Sequence, residues 1–374
     1  VLGTHHLMRQ ELAEARREFQ ALAHLYPEDW RAHFELGETE YRRHDLPGAI
    51  AAFRKAVSLD PTRVESLLGL GMASLTAGDT MSARQAWDRA SLLEPANGEV
   101  MCVGGFIDLI ETNVSAALKA FQQAAAVPMH STSSRANFLI AQAQVFGGRY
   151  QAAIQTLEAG IEQDRREGDI DSEAGKRIAR AQIYLLLTDP SRALAECRLV
   201  PDRDQDPARL SALGSVYARA GEVEQARETL QRIGKKAPLP STQLCAAILQ
   251  GEIELASGRP EEAIQAFMRA RRLQPGELPL EPLARALAQA GRLQEAAREY
   301  RAVSDAKAEM LFPTQMTWFT GTWTQALLET ARSLARLEQP AEAKQYYRNY
   351  LWVLDGADTD IASLQEAKHF LRRR

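Results

Sequence analysis

One register recurs every 34 residues near the start of the chain, and it constrains the fold more than any other feature. Leu36-Gly37 is followed by Leu70-Gly71, and Ala49, Phe53, Ala56 and Pro61 by Ala83, Trp87, Ala90 and Pro95. The same interval backwards meets Leu2-Gly3, Ala15, Phe19 and Pro27. A fixed long period is the mark of a stacked array, because each unit is too short to bury its apolar face alone. Within the unit beginning at Trp30, the spacing predicts a first helix over about 30–43 and a second over about 46–59. Ala49, Phe53 and Ala56 fall on one face of the second helix. Pro61 ends the unit, since proline neither continues a helix nor lets its predecessor stay in the α region. Gly37 and the two alanines are small enough for backbones to approach closely, with Phe53 filling the space between them.

The register continues more loosely. Ala117 and Phe121 follow Gly104-Gly105, and Ala153 and Leu157 follow Gly148. Ala193 and Cys197 mark a weaker copy, in which Cys197 takes the core position held elsewhere by Phe53. Later copies centre on Gly214 and Ala226, on Gly251 and Phe267, on Ala296 and Tyr300, and on Ala343 and Tyr347, with a capping helix over about 363–374. The expected fold is all-α: an α-solenoid of about ten helix-turn-helix units, the first cut short because Leu2-Gly3 already lies mid-helix. Irregular spacing suggests three stretches: an N-terminal array over 1–163, a central array over 164–303, and a C-terminal connector, last repeat and cap over 304–374. Charge accumulates over 164–176, where a soft joint is expected. Aromatic residues crowd 304–322, where they either seal a mispaced joint, the favoured reading, or form an apolar patch for a partner.

The signature of Leu-Gly in the first helix, Ala and an aromatic in the second, and a closing Pro resembles the tetratricopeptide repeat. That resemblance implies a non-catalytic scaffold that binds a protein or peptide along a concave face lined by the first helices. The positions left free by packing are the second, fifth, sixth, ninth, twelfth and thirteenth of each unit. They nominate Phe34, Glu38, Tyr41, Leu68, Met72, Leu75, Phe106, Phe138 and Gln142, a surface apolar in its middle and polar at its ends. Cys102 and Leu109 fall on the same set. Two readings stay open: a groove that accepts an apolar helix or extended peptide, or a winding so tight that these residues bury one another. Members of the family that hold chaperone tails clamp a terminal carboxylate with paired Lys, Asn and Arg. Met72 and Phe106 stand where that set would be, so no carboxylate clamp is expected. The stretches from Phe19 to Trp30 and from Tyr346 to Leu371 also resemble the repeat regions that follow bacterial serine/threonine kinases of eukaryotic type and some winged-helix regulators. This implies, as an alternative, a sensor or regulatory region belonging to a signalling domain upstream of residue 1.

Chemistry is not indicated. The chain lacks P-loop, zinc-protease, nucleophile-elbow and dinucleotide-binding motifs, so no enzyme, cofactor or metal is expected. Asp202, Asp204 and Asp206 alternate like a calcium loop, but Pro207 stands where that loop needs glycine and Leu213 where it needs glutamate. His5-His6 have no third ligand nearby in sequence. A net charge of −4 and the absence of a basic block argue against nucleic-acid binding. No apolar run is long enough to span a membrane. Three widely spaced cysteines give weak support for a reducing compartment and a cytoplasmic location, with an extracytoplasmic one open if a membrane-anchored domain is attached.

Overall fold

A computed structural model describes residues 3, 11–201, 206–236, 239–273, 276, 280–307, 321–358 and 361–372. Among the described residues there are 20 helices and no strand. His5-His6, Asp202, Asp204 and nearly all of the aromatic stretch 304–322 lie outside them. The chain divides into two compact units, Val1–Ala136 and Asn137–Arg374.

The first unit contains α1 (Leu12–Leu25), α2 (Trp30–Arg42), α3 (Leu46–Leu59), α4 (Val64–Thr76), α5 (Thr80–Leu93), α6 (Gly98–Ile110), α7 (Val114–Ala125) and the start of α8 (His130–Phe146). Helix pairs α2/α3, α4/α5 and α6/α7 are the repeat units, and the first helices of successive pairs also pack on one another. Short polar side chains start these helices by accepting backbone N–H bonds. Asp29 accepts from Arg31, Asp45 from Gly48, Asp79 from Ser82, Asn97 from Glu99 and Asn113 from Ala116. The turn inside each pair needs a left-handed residue. Gly78 supplies it at φ 81°, whereas His44 and Thr112, each 34 positions from Gly78, are held at φ 61° and 60°.

Packing of the aromatic position differs from the expectation of two close backbones. A Cβ on Gly37 would lie 2.7 Å from the Phe53 ring, one on Gly3 2.7 Å from Phe19, and one on Gly105 2.5 Å from Phe121. The glycine is therefore a seat for the ring of its own unit's second helix, 16 residues later in each case. Trp87 departs from this rule. The nearest atoms to a Cβ on Gly71 would be those of Ala83, Ala86 and Val103, at 3.6, 3.8 and 4.0 Å, while one on Gly104 of the next unit would lie 2.7 Å from Trp87. The indole lies instead against the next helix and donates from Nε1 to the Val100 carbonyl at 2.8 Å.

The second unit continues with α9 (Tyr150–Glu167), α10 (Ile170–Leu186), α11 (Pro190–Cys197), α12 (Pro207–Arg219), α13 (Val223–Gly234), α14 (Pro240–Ala256), α15 (Pro260–Leu273), α16 (Glu281–Gln289), α17 (Leu293–Asp305), α18 (Gly321–Arg336), α19 (Pro340–Val353) and α20 (Ala362–Arg372). The glycine seat recurs here: a Cβ on Gly251 would lie 2.5 Å from Phe267. Cys197 is buried in the core as expected, at the end of an eight-residue helix. Asp206 caps α12 by accepting from the Arg209 N–H. The spacing stretches near residue 164 because α9 and α10 are 18 and 17 residues long. The charge gathered there includes an interior ion pair, Lys176 Nζ to Asp164 Oδ2 at 2.5 Å.

The two ends of the second unit meet. Phe146 stacks on Trp323 with ring centroids 5.2 Å apart and planes at 13°. Trp323 Nε1 donates to the Ser304 carbonyl at 2.7 Å. Asp358 donates its N–H to the Gly148 carbonyl and accepts the Gln151 N–H, at 3.1 and 3.0 Å, so it serves the first turn of α9 from 207 residues away. Lys307 Nζ lies 5.2 Å from the Phe146 ring centroid and 4.6 Å from that of Trp323. Burial pushes its ammonium down to about 8, against the attraction of the rings. The folded chain then releases this proton before the unfolded chain does, so Lys307 should make stability rise as pH climbs from about 8 to 10.5. A melting comparison with Lys307→Met across that window checks this: the variant should lack that part of the rise, and parallel curves would contradict it.

Candidate functional site

In the first unit side chains of successive first helices line a half-open cavity of about 340 Å³. Helix α2 contributes Glu38 and Tyr41, α4 contributes Glu65, Leu68, Gly69 and Met72, α6 contributes Glu99, Val103 and Phe106, and α8 contributes Arg135. Phe53 reaches it from the second helix α3. It can do so because Gly69 has no side chain; a Cβ there would sit 2.6 Å from the Phe53 ring. Phe106 is held edge-on by Phe121, centroids 5.5 Å apart, and Phe34 backs Phe53 at 5.8 Å. Tyr41 is fixed by a 3.0 Å hydrogen bond between its hydroxyl and that of Thr76. The floor is thus apolar and aromatic, and its side chains are held by packing behind them.

The rim is acidic. Glu65 and Glu99 stand in the first turns of α4 and α6, where the helix dipole favours a negative charge. Arg135 Nη1 meets Glu99 Oε1 at 2.5 Å. Glu38 and Glu65 have no ion pair among the described residues. Burial raises the Glu38 carboxyl above the usual range; Arg42 pulls it down and Glu35 adds to the rise.

Of the positions nominated from the register, Glu38, Tyr41, Leu68, Met72 and Phe106 come together on this cavity. Phe34 stands behind the wall, packed between Trp30 and Phe53. Leu75 is a correction: it is fully buried, because residues 73–76 are all enclosed and the last turn of α4 has no free face. Cys102 and Leu109 are buried as well. Burial pushes the Cys102 thiol up to about 11, which makes it a poor nucleophile. Phe138 and Gln142 belong to the second unit, Phe138 half-buried against a core containing Ala141 and Leu157 and Gln142 buried. Glu65, Glu99 and Arg135 were missed, although all three occupy the second position of their units. Gly69 and Val103 occupy the sixth.

The chain resembles known proteins in keeping with this architecture. A tetratricopeptide repeat profile matches residues 1–64, 112–169 and 211–277, just over half the chain. A putative cellulose synthase operon protein C from Escherichia coli O157:H7 is 33% identical over 98 residues, covering 25% of this chain and 8% of that protein. A CTR9 homolog from Arabidopsis thaliana is 26% identical over 264 residues, covering 66% of this chain and 23% of that protein. The chain therefore spans under a quarter of either relative's length. Among solved structures, the MamA protein aligns over 45% of this chain and 91% of its own at 20% identity, with a TM-score of 0.37. A tetratricopeptide repeat protein from Parabacteroides merdae ATCC 43184 aligns over 77% and 96% at 15% identity, with a TM-score of 0.41. Among the described residues no helix is long and apolar enough to cross a membrane. The glycine-seated aromatics, the left-handed turns and the profile match over half the sequence lead to one assignment: the chain belongs to the tetratricopeptide repeat family.

Proposed function

We propose that the chain is a non-catalytic scaffold whose first unit docks a peptide or helix of a partner protein by an apolar side chain inserted between α2, α4 and α6. The observation that carries this reading is the cavity itself: about 340 Å³, floored by Phe53, Leu68, Met72 and Phe106. That volume lies at the small end of the range of roughly 300–1,000 Å³ typical of ligand pockets. It suits one large side chain and part of a second better than a cofactor. Met72, half-buried and unbranched, is an adaptable contact for such a side chain. Unlike Phe53 or Phe106, it is not fully committed to the core, so it can be changed with less risk to the fold. Met72→Asp should weaken capture of a selected displayed-peptide ligand at least about tenfold, the scale of a charge set against an apolar contact, with helicity by circular dichroism retained. Undiminished capture by a folded Met72→Asp protein would rule out this cavity as the dock.

A further inference from the structure

The rim of the cavity says what the docked segment must carry. Three carboxylates, Glu38, Glu65 and Glu99, and one cation, Arg135, line it, and Arg135 is already engaged by Glu99. Two carboxylates therefore face the cavity with no ion pair among the described residues. They are also unlike one another. Glu65 is exposed at the start of α4, whereas Glu38 is half-buried in the middle of α2, on the same cavity as Leu68, Met72 and Phe106. A half-buried carboxylate beside an apolar floor is costly unless a donor or cation meets it, and Arg42 acts on Glu38 only at a distance. Tyr41, the remaining polar group of the lining, has its hydroxyl turned to Thr76.

We infer that the cavity's occupant is a peptide segment in which a lysine or arginine stands beside a large aliphatic or aromatic residue. The apolar side chain fills the floor, and the cation meets Glu38 and Glu65. This rests on the docking role proposed above and deepens it. The argument is charge complementarity combined with shape. The long stem of a lysine or arginine lies along apolar surface while its head remains at the polar edge, which matches a floor of Leu68 and Met72 below a carboxylate rim. An acidic segment would set like charges against two carboxylates, and such juxtapositions select against wrong partners more strongly than they set affinity. A chain terminus presenting a carboxylate is disfavoured for the same reason.

Three short probe peptides share one Leu-Phe core and differ only in flanking residues, which are lysine, glutamine or glutamate. Fluorescence anisotropy of each with the full chain tests the inference. The lysine peptide should bind about tenfold or more tighter than the glutamate peptide, the scale of a charge-assisted hydrogen bond. That preference should shrink as salt is raised. It should fall to within about threefold in the isosteric double variant Glu38→Gln/Glu65→Gln. Equal binding of lysine and glutamate peptides, still lost on Met72→Asp, overturns the charge assignment and leaves the dock standing. A lysine preference that persists undiminished in the double variant also overturns it, by placing the selectivity elsewhere. Absence of binding by all three peptides, or binding indifferent to Met72→Asp, overturns the docking role itself.

Discussion

Phe53→Ala should destabilise the first unit by about 3–5 kcal/mol, the range for truncating a buried aromatic ring. Phe53 has no exposed surface and lies where Cβ atoms on Gly37 and Gly69 would come within 2.7 and 2.6 Å of it. Its loss removes packing from α2, α3 and α4 together and opens the floor of the cavity. The seat makes the effect specific. In the native chain, Gly37→Ala should cost about 1–3 kcal/mol by overpacking, partly offset by the roughly 1 kcal/mol that alanine gains over glycine in a helix. In the Phe53→Ala background the clash is gone, so the same change should recover up to about 1 kcal/mol. This reversal of sign is a coupling that a double-mutant cycle resolves. Hydrogen exchange over residues 46–76 is the readout that assigns the change to these helices, because repeat arrays open locally. Equal effects of Gly37→Ala in both backgrounds would show that the ring does not sit on the glycine.

The second large effect belongs to Asp164. Lys176 and Asp164 are 2% and 0% exposed and meet at 2.5 Å. Burial lowers the ammonium's pKa more than the hydrogen bond and charge of Asp164 raise it, with Asp169 adding a smaller favourable contribution. The pair is thus a costly arrangement that depends on its carboxylate. Asp164→Ala strips that carboxylate from an interior ammonium and should cost about 3–5 kcal/mol in the second unit. Replacing both members with apolar residues of similar size, Asp164→Leu with Lys176→Met, should be near neutral or stabilising by about 1–4 kcal/mol. Thermal melts of the single and double variants separate the cases. A double variant as unstable as Asp164→Ala would mean that the charges themselves, rather than their burial, hold α9 and α10 together. The stem of Lys176 also packs on Gly160, where a Cβ would lie 2.8 Å from Cε, so methionine is the replacement that keeps this contact.

Much of the fold was legible because it is local. The 34-residue register placed the second helix of the Trp30 unit over 46–59, and the structure has it from Leu46 to Leu59. The first was placed over 30–43, and it runs from Trp30 to Arg42. Five of the nine nominated side chains line one cavity, because a helix of fixed period keeps its fifth, ninth and twelfth positions on nearby faces. What the register could not carry are choices made between units or over long distances. Trp87 conforms in sequence and departs in space, since nothing in a period tells a ring which of two glycines it will face. Leu75 occupies an inner position but lies where the helix end is closed over. The charges over 164–176 suggested a soft joint, yet two of them pair in the interior, twelve positions apart across a helix turn and outside any helical spacing rule. The meeting of Phe146 with Trp323, and of Asp358 with Gly148 and Gln151, spans up to 207 residues. A repeat pattern describes neighbours and is silent about such returns.

Met72 lines the acid-rimmed cavity proposed as the dock and reports on its occupancy directly. With methionine methyl groups labelled with carbon-13, titration of the lysine-flanked peptide into the full chain should shift the Met72 resonance. The exposed Met81, Met129 and Met268, none of which lines the cavity, should stay in place. A bound peptide that leaves Met72 unmoved while shifting any of those three would contradict the account.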